Sequence, residues 1–363
     1  MKVCPAFALG LPFPWEPRAL FFSTEAVGLQ ADPIMFTKNK GFASCSGLDT
    51  LAGKRYTDTK NGRLCPLMLL STQTEALGSL YGEPETIRML AKAGFDAFDL
   101  SLFSMFSDPN YPMNRPDFRD FASQLKDVAK DCGIVCNQAH APFASSVGDP
   151  ERDRAIFQSI VQAMEGAAIV GAKIIVVHPM HHLSYRTHAT QLMEMNLDFY
   201  RRLIPYCEKF GIQVACENMW QYNEEGKRII DSVCSRPEEF CRYLDELDSP
   251  WIVGCLDVGH TALTDEDLGC YIRQMGRKRL RALHVHDNDL RDDDHTLPFT
   301  GKIDFAALTS ALAEIGYEGD FTLEADAFLL RFPKELVPEA LGLMGKTGRY
   351  LAEQVERAKP VEE

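Results

Sequence analysis

No stretch of this 363-residue chain stays apolar for the ~18 residues that a membrane-spanning helix requires, which argues against a protein threaded through a bilayer. The eleven cysteines include no Cys-x-x-Cys pair. An odd, scattered set reads as reduced thiols of a cytoplasmic protein, not as a disulfide framework or a thiolate zinc site. Basic residues are outnumbered, 38 Lys+Arg against 52 Asp+Glu, for a net charge of −14. That balance opposes a nucleic acid as main partner, because such affinity rests on cationic contacts to phosphates. No strand-like segment runs into a Gly-x-Gly-x-x-Gly turn, so a dinucleotide-binding open sheet finds no support. Histidine is missing from the first 139 residues, and all nine histidines fall between positions 140 and 295.

The front of the chain differs from the rest. Met1–Trp15 is apolar with an early lysine, but prolines at 5, 12 and 14 interrupt it and argue against a secretory signal. Residues 16–65 keep no period of 2 or 3.6. With eight basic and five acidic residues, segment 1–65 carries +3 and leaves −17 on the remainder. An irregular N-terminal extension over 1–65 is expected, followed by one domain over 66–357 and a short tail over 358–363.

From position 66 a pattern repeats. Short apolar runs end in a polar residue, and amphipathic stretches follow them. The runs are LMLLS (67–71), FDAFDL (95–100), IVCNQAH (134–140), KIIVVH (173–178), IQVACE (212–217), WIVGCLD (251–257), RALHVH (281–286) and DFTLE (320–324). Between them lie helical segments such as 84–94, 151–171 and 303–316, and a closing helix is expected over 334–355. Strands this apolar are buried on both faces, as in parallel βα units. Eight such units over about 290 residues predict a (β/α)8 TIM barrel.

Barrel strands share a direction, so their carboxyl ends converge at one mouth, where the catalytic groups of such barrels sit. Those ends read Ser71, Asp99, His140, His178, Glu217, Asp257, His284 and Glu324. Unpaired carboxylates at buried strand ends are costly, and a shared cation offsets them. Glu217, Asp257, His284 and Glu324 come from four consecutive strands. Three carboxylates and one imidazole suit Mn2+ or Mg2+, with Zn2+ or Co2+ as alternatives. Around them, His140, His178, His260, Asp293 and His295 are candidates for further metal or substrate contacts. His286 shares the strand face of His284 and is a candidate to replace or support it, or to contact the substrate. Trp220 follows the fifth strand and is expected over the substrate.

The segments HAP (140–142), VVHP (176–179), CEN (216–218), LDVGH (256–260), LHVHDND (283–289), Asp293-x-His295 and YEGDFTLE (317–324) resemble, in order and spacing, the xylose isomerase-like TIM-barrel superfamily. The resemblance spans about residues 66–357. Its ketose epimerases imply one divalent metal on Glu217, Asp257, His284 and Glu324, with Glu217 and Glu324 also acting as the acid/base pair through an enediolate. They also imply His260 on the substrate, a small keto-sugar or sugar phosphate. A homodimer is the expected assembly. Two alternatives share the constellation: an inosose-type hydro-lyase, and an endonuclease-IV-like phosphoesterase. The latter implies a trinuclear zinc site on His140, His178, Glu217, Asp257, His260, His284, Asp293, His295 and Glu324. In PFTGKID (298–304) Phe299 stands where relatives have glycine. Gly301 and Lys302 are candidate phosphate or substrate contacts, and Asp304 a helix N-cap.

Overall fold

The computed structural model describes residues 68–359 except 224, together with the backbone of the antiparallel strands Arg55–Thr57 and Leu64–Pro66. That pair gives part of the expected irregular extension regular structure; the rest of it, and the end of the tail, lie outside the described residues. Eight parallel strands follow: β1 Leu70–Thr72, β2 Ala97–Ser101, β3 Val135–His140, β4 Ile174–Val176, β5 Gln213–Glu217, β6 Ile252–Asp257, β7 Leu280–His284 and β8 Phe321–Leu323. Strands β2 to β7 pair in sequence order as one sheet, and β8 pairs with β1. Single bridges from Gln73 to Asp99 and from Val285 to Leu323 join the two sheets into a closed ring.

Eight helices cover the outside: α1 Glu83–Ala93, α2 Phe118–Cys132, α3 Pro150–Val170, α4 Tyr185–Phe210, α5 Pro237–Leu247, α6 Leu268–Arg279, α7 Phe305–Glu314 and α8 Val337–Ala358. Their starts follow capping chemistry. Asp149 accepts from the amides of Glu151 and Arg152, and Asp304 from those of Ala306 and Ala307, so each satisfies otherwise orphaned donors of a first turn. Asp304 is thus the cap anticipated from the sequence. The basic run 276–281 lies at the amino-terminal end of β7, remote from the mouth. There Arg279 pairs with Asp245, and Arg277 and Arg281 with Glu318.

Most apolar side chains fill the layer between strands and helices. Inside the ring a smaller plug of Ile174, Val176, Ala215, Val253, Cys255 and Ala282 fills the lower barrel. Strand side chains alternate between faces. Two residues above Ala215, Cys255 and Ala282 stand Glu217, Asp257 and His284, pointing into the same interior one layer nearer the mouth. The apolar plug therefore forms the floor of the site.

Candidate active site

On that floor, Glu217, Asp257, His284 and Glu324 each offer one donor atom, all within 4.8 Å of one another. His284 Nδ1 lies 2.7 Å from Glu217 Oε1 and 3.2 Å from Glu324 Oε2. Glu217, Asp257 and His284 are at most 1% exposed, and Glu324 is 7% exposed. Glu217 Oε2 and Glu324 Oε2 are buried without a hydrogen bond, although His178 Nε2 stands 3.0 Å from the former. Orphaned buried acceptors cost roughly 1–3 kcal/mol each, more when charged. Acceptors turned on a common centre, with oxygen and imidazole donors only, fit a divalent cation.

Two further groups adjoin this one. His140, Glu217 and His284 form a second possible ligand set, with His140 Nε2 only 3.1 Å from His178 Nε2. His260, His286, Asp293 and His295 form a third. Asp293 Oδ2 lies 3.3 Å from His260 Nε2 and 3.2 Å from His295 Nε2, and accepts a hydrogen bond from Trp220 Nε1 at 3.1 Å. Asp293 is thus no solvated loop acid, despite its neighbours in RDDD.

Burial and charge divide the two glutamates. Burial raises the Glu217 carboxyl, but His284, His140 and His178 more than offset it and hold the group well below the ordinary range. Burial keeps Glu324 well above it, against the pull of His284 and His295. Burial opposes a charged His260, yet Asp257 and Asp293 bring it up to about 10. His178 is pushed down to about 4 by burial and so stays neutral.

His286 is fully buried, with Nε2 3.1 and 3.2 Å from the two oxygens of Asp257 and its ring stacked on His295 at 4.1 Å. It braces Asp257 from behind the ligand face. Trp220 sits at the base of a hairpin, Trp220–Asn223 with Arg228–Asp231, its ring centroid 6.3 Å from that of His260. Lys302 stands apart from the cluster; its ammonium is exposed and donates to the Asp289 carbonyl. A phosphate cradle at 301–303 also lacks free donors. The Gly301 and Ile303 amides donate to Asp287 and the Lys302 amide to Asn288. A Cβ on Gly301 would lie 2.3 Å from the Asn288 carbonyl oxygen, so the glycine serves close approach to this turn.

Sequence reasoning passed over three polar residues. Gln73 donates to Glu324 Oε1 at 2.5 Å, Gln138 reaches Asp99 and His284, and Asp287 anchors the 301–303 turn. The signal for the glutamines is strand phase: Gln138 precedes His140 by two positions on one face. Asp99, read as a strand end, lies mid-strand, because β2 continues to Ser101. Likewise β4 stops at Val176, leaving His178 two residues beyond it, and β7 stops at His284 with His286 past its end.

An eight-stranded parallel barrel whose mouth carries a carboxylate and imidazole cluster defines the broad class of TIM barrels. Within it the chain belongs to the xylose isomerase-like TIM barrel family, whose sequence model matches residues 87–346. Among curated proteins, an uncharacterized protein of Methanocaldococcus jannaschii is 26% identical over 192 residues, which are 51% of this chain and 62% of that one. The fructoselysine 3-epimerase of Escherichia coli O157:H7 is 24% identical over 200 residues, 55% of this chain and 70% of the relative. Among solved structures, a D-psicose 3-epimerase determined in the presence of D-fructose superposes with a TM-score of 0.61 at 15% identity, covering 78% of this chain and 99% of that one. An IolI protein with a bound zinc atom superposes with a TM-score of 0.61 at 17% identity, covering 79% and 99%. At these identities the superpositions carry the fold. No helix among the described residues is long and apolar enough to cross a membrane.

Proposed function

We propose that the protein is a divalent-cation-dependent isomerase or epimerase of a small keto-sugar. The observation that carries this reading is the convergence of Glu217, Asp257, His284 and Glu324 within 4.8 Å on the barrel floor. The ketose-epimerase names among the relatives and neighbours support it. These four residues would hold the cation, which when bound draws electron density from a ketose carbonyl and its neighbouring hydroxyl oxygen and so acidifies the C–H between them. Glu217 and Glu324 stand on different strands beside the same centre. One removes the proton from one face of that carbon, and the other returns a proton to the opposite face. His260 and Trp220, above the ligands, orient the sugar. The occupied amides at 301–303 and the outlying Lys302 favour an unphosphorylated substrate.

The test is solvent-deuterium incorporation next to the carbonyl across a panel of ketoses with added Mn2+ or Mg2+. Wash-in is expected for at least one ketose and is lost in Glu217→Gln and Glu324→Gln. Exchange that survives both substitutions overturns the two-carboxylate mechanism.

One observation favours a second reading, a metal phosphoesterase: His140 and His178 beside Glu217, and His260, His295 and Asp293 together, supply two more ligand sets. Three zinc ions per chain by elemental analysis, with phosphodiester cleavage, would select it. One ion per chain with ketose exchange selects the sugar chemistry. The −17 carried by residues 66–363 opposes a duplex nucleic acid.

A further inference from the structure

His284 can serve a cation through Nδ1 only if its proton sits on Nε2. The ring has two faces of contact. Nδ1 points at Glu217 and Glu324, 2.7 and 3.2 Å away. Nε2 points down into the barrel, 3.3 Å from Asp99 Oδ2 and 3.0 Å from Gln138 Nε2. Asp99 is fully buried, its Oδ2 accepts from Gln138 Nε2 at 2.8 Å, and its Oδ1 has no partner. A register shift after Phe98 sets Asp99 opposite Gln138, so both side chains enter the interior beneath the ring. The Gln138 amide nitrogen is a donor, so it satisfies Nε2 only when Nε2 is bare and the proton sits on Nδ1, donated to Glu217. Asp99 is an acceptor and satisfies the opposite tautomer.

We propose that Asp99 is a positioning residue for the metal centre, accepting the His284 Nε2 proton so that the Nδ1 lone pair faces the cation. An acceptor behind a ligating histidine typically sets affinity by about tenfold to hundredfold. The inference rests on the ligand set proposed above.

The experiment is titration of the full-length protein with Mn2+ and Zn2+ against a competing chelator, comparing Asp99→Leu and Asp99→Asn with wild type. Asp99→Leu is apolar and removes the acceptor, and is expected to weaken binding about tenfold to hundredfold. Asp99→Asn removes the charge yet retains an amide oxygen for the Nε2 proton, and is expected to lose clearly less. Equal losses in the two variants mean that Asp99 acts by charge alone and overturn the positioning role, as does wild-type affinity in Asp99→Leu. A second measurement needs no variant: nitrogen-15 spectra of the histidine-labelled wild type should show His284 protonated at Nε2 and bare at Nδ1 in the cation-loaded protein. A ring protonated at Nδ1 in the loaded protein overturns the inference. Wild-type binding that is undiminished by Glu217→Gln sinks instead the reading of the ligand set.

Discussion

Gly259, in the helix Val258–Leu263 that follows Asp257, is where a single methyl group should reach the metal centre. A Cβ there would stand 2.0 Å from His286 Cε1, 2.4 Å from Nε2 and 2.7 Å from Nδ1. Carbon contacts settle near 3.5–4.0 Å, so the ring must retreat by about 1.5 Å. It has nowhere to go without loss, because His295 is stacked 4.1 Å behind it and Asp257 is held at 3.1 and 3.2 Å. Overpacking of this kind costs roughly 1–3 kcal/mol. Losing a hydrogen bond to a carboxylate adds about 1.5–3 kcal/mol. The better helix propensity of alanine returns about 1 kcal/mol. Gly259→Ala should therefore destabilise the protein by about 1.5–5 kcal/mol, a fall in Tm of several degrees for a chain of this size. Gly342→Ala is the control, a helical glycine in α8 whose added Cβ meets nothing within 4 Å; it should be neutral or slightly stabilising. The assay is thermal unfolding of both variants, paired with Mn2+ titration, since an unbraced Asp257 should also bind the cation more weakly. A Gly259→Ala protein that melts and binds like wild type would refute the assignment of His286 as the brace of Asp257.

Two other outcomes follow from buried charge. Glu83 is pushed up to about 8, chiefly by burial and then by Glu75, with Thr74 and Tyr111 pulling the other way. Between the ordinary value of 4.5 and about 8 the folded chain holds a proton that the unfolded chain releases, so stability falls as pH rises through that window. Glu83→Gln removes that loss, and its stability advantage over wild type, read from Tm, should grow from pH 5 to pH 8, toward about 4 kcal/mol at most; parallel pH profiles would contradict the burial argument. Stripping divalent cations with a chelator should lower Tm, and Mn2+ or Zn2+ at a hundredfold excess over Kd should restore about 2.7 kcal/mol. The restored increment should vanish in Asp257→Asn, and a variant that still gains it would place the cation elsewhere.

Which parts of this molecule could be read from its sequence follows from how the barrel is built. Strands buried on both faces are apolar throughout, so FDAFDL or WIVGCLD stand out as strands, and a carboxylate ending such a run is conspicuous because it has no apolar reason to be there. Glu217 and Asp257 close β5 and β6 in the folded chain for that reason. The same uniformity hides strand ends and strand interiors. In β2 every residue from Ala97 to Ser101 is buried, so nothing along the sequence marks Asp99 as a middle residue rather than a last one. Strand phase can turn Gln138 and Gln73 to the interior, but not show what they bind: their partners, Asp99 and Glu324, lie on neighbouring strands, and only the pairing register brings them together. Asp293 is a candidate contact from the Asp293-x-His295 spacing, against the pull of its surroundings. Its acidic neighbours suggest a solvated loop, whereas the turn carries it back over the mouth to His260, His295 and Trp220. Strand-end ligands announce themselves through the contrast with their own strand. The residues that aim those ligands do not, because a buried amide or carboxylate beneath a ligand has meaning only across the barrel. The substitutions at Asp99 and at Gly259 therefore probe the part of the site that one-dimensional reading reaches least, where the interior decides which lone pair of an imidazole, and which oxygen of a carboxylate, faces the centre.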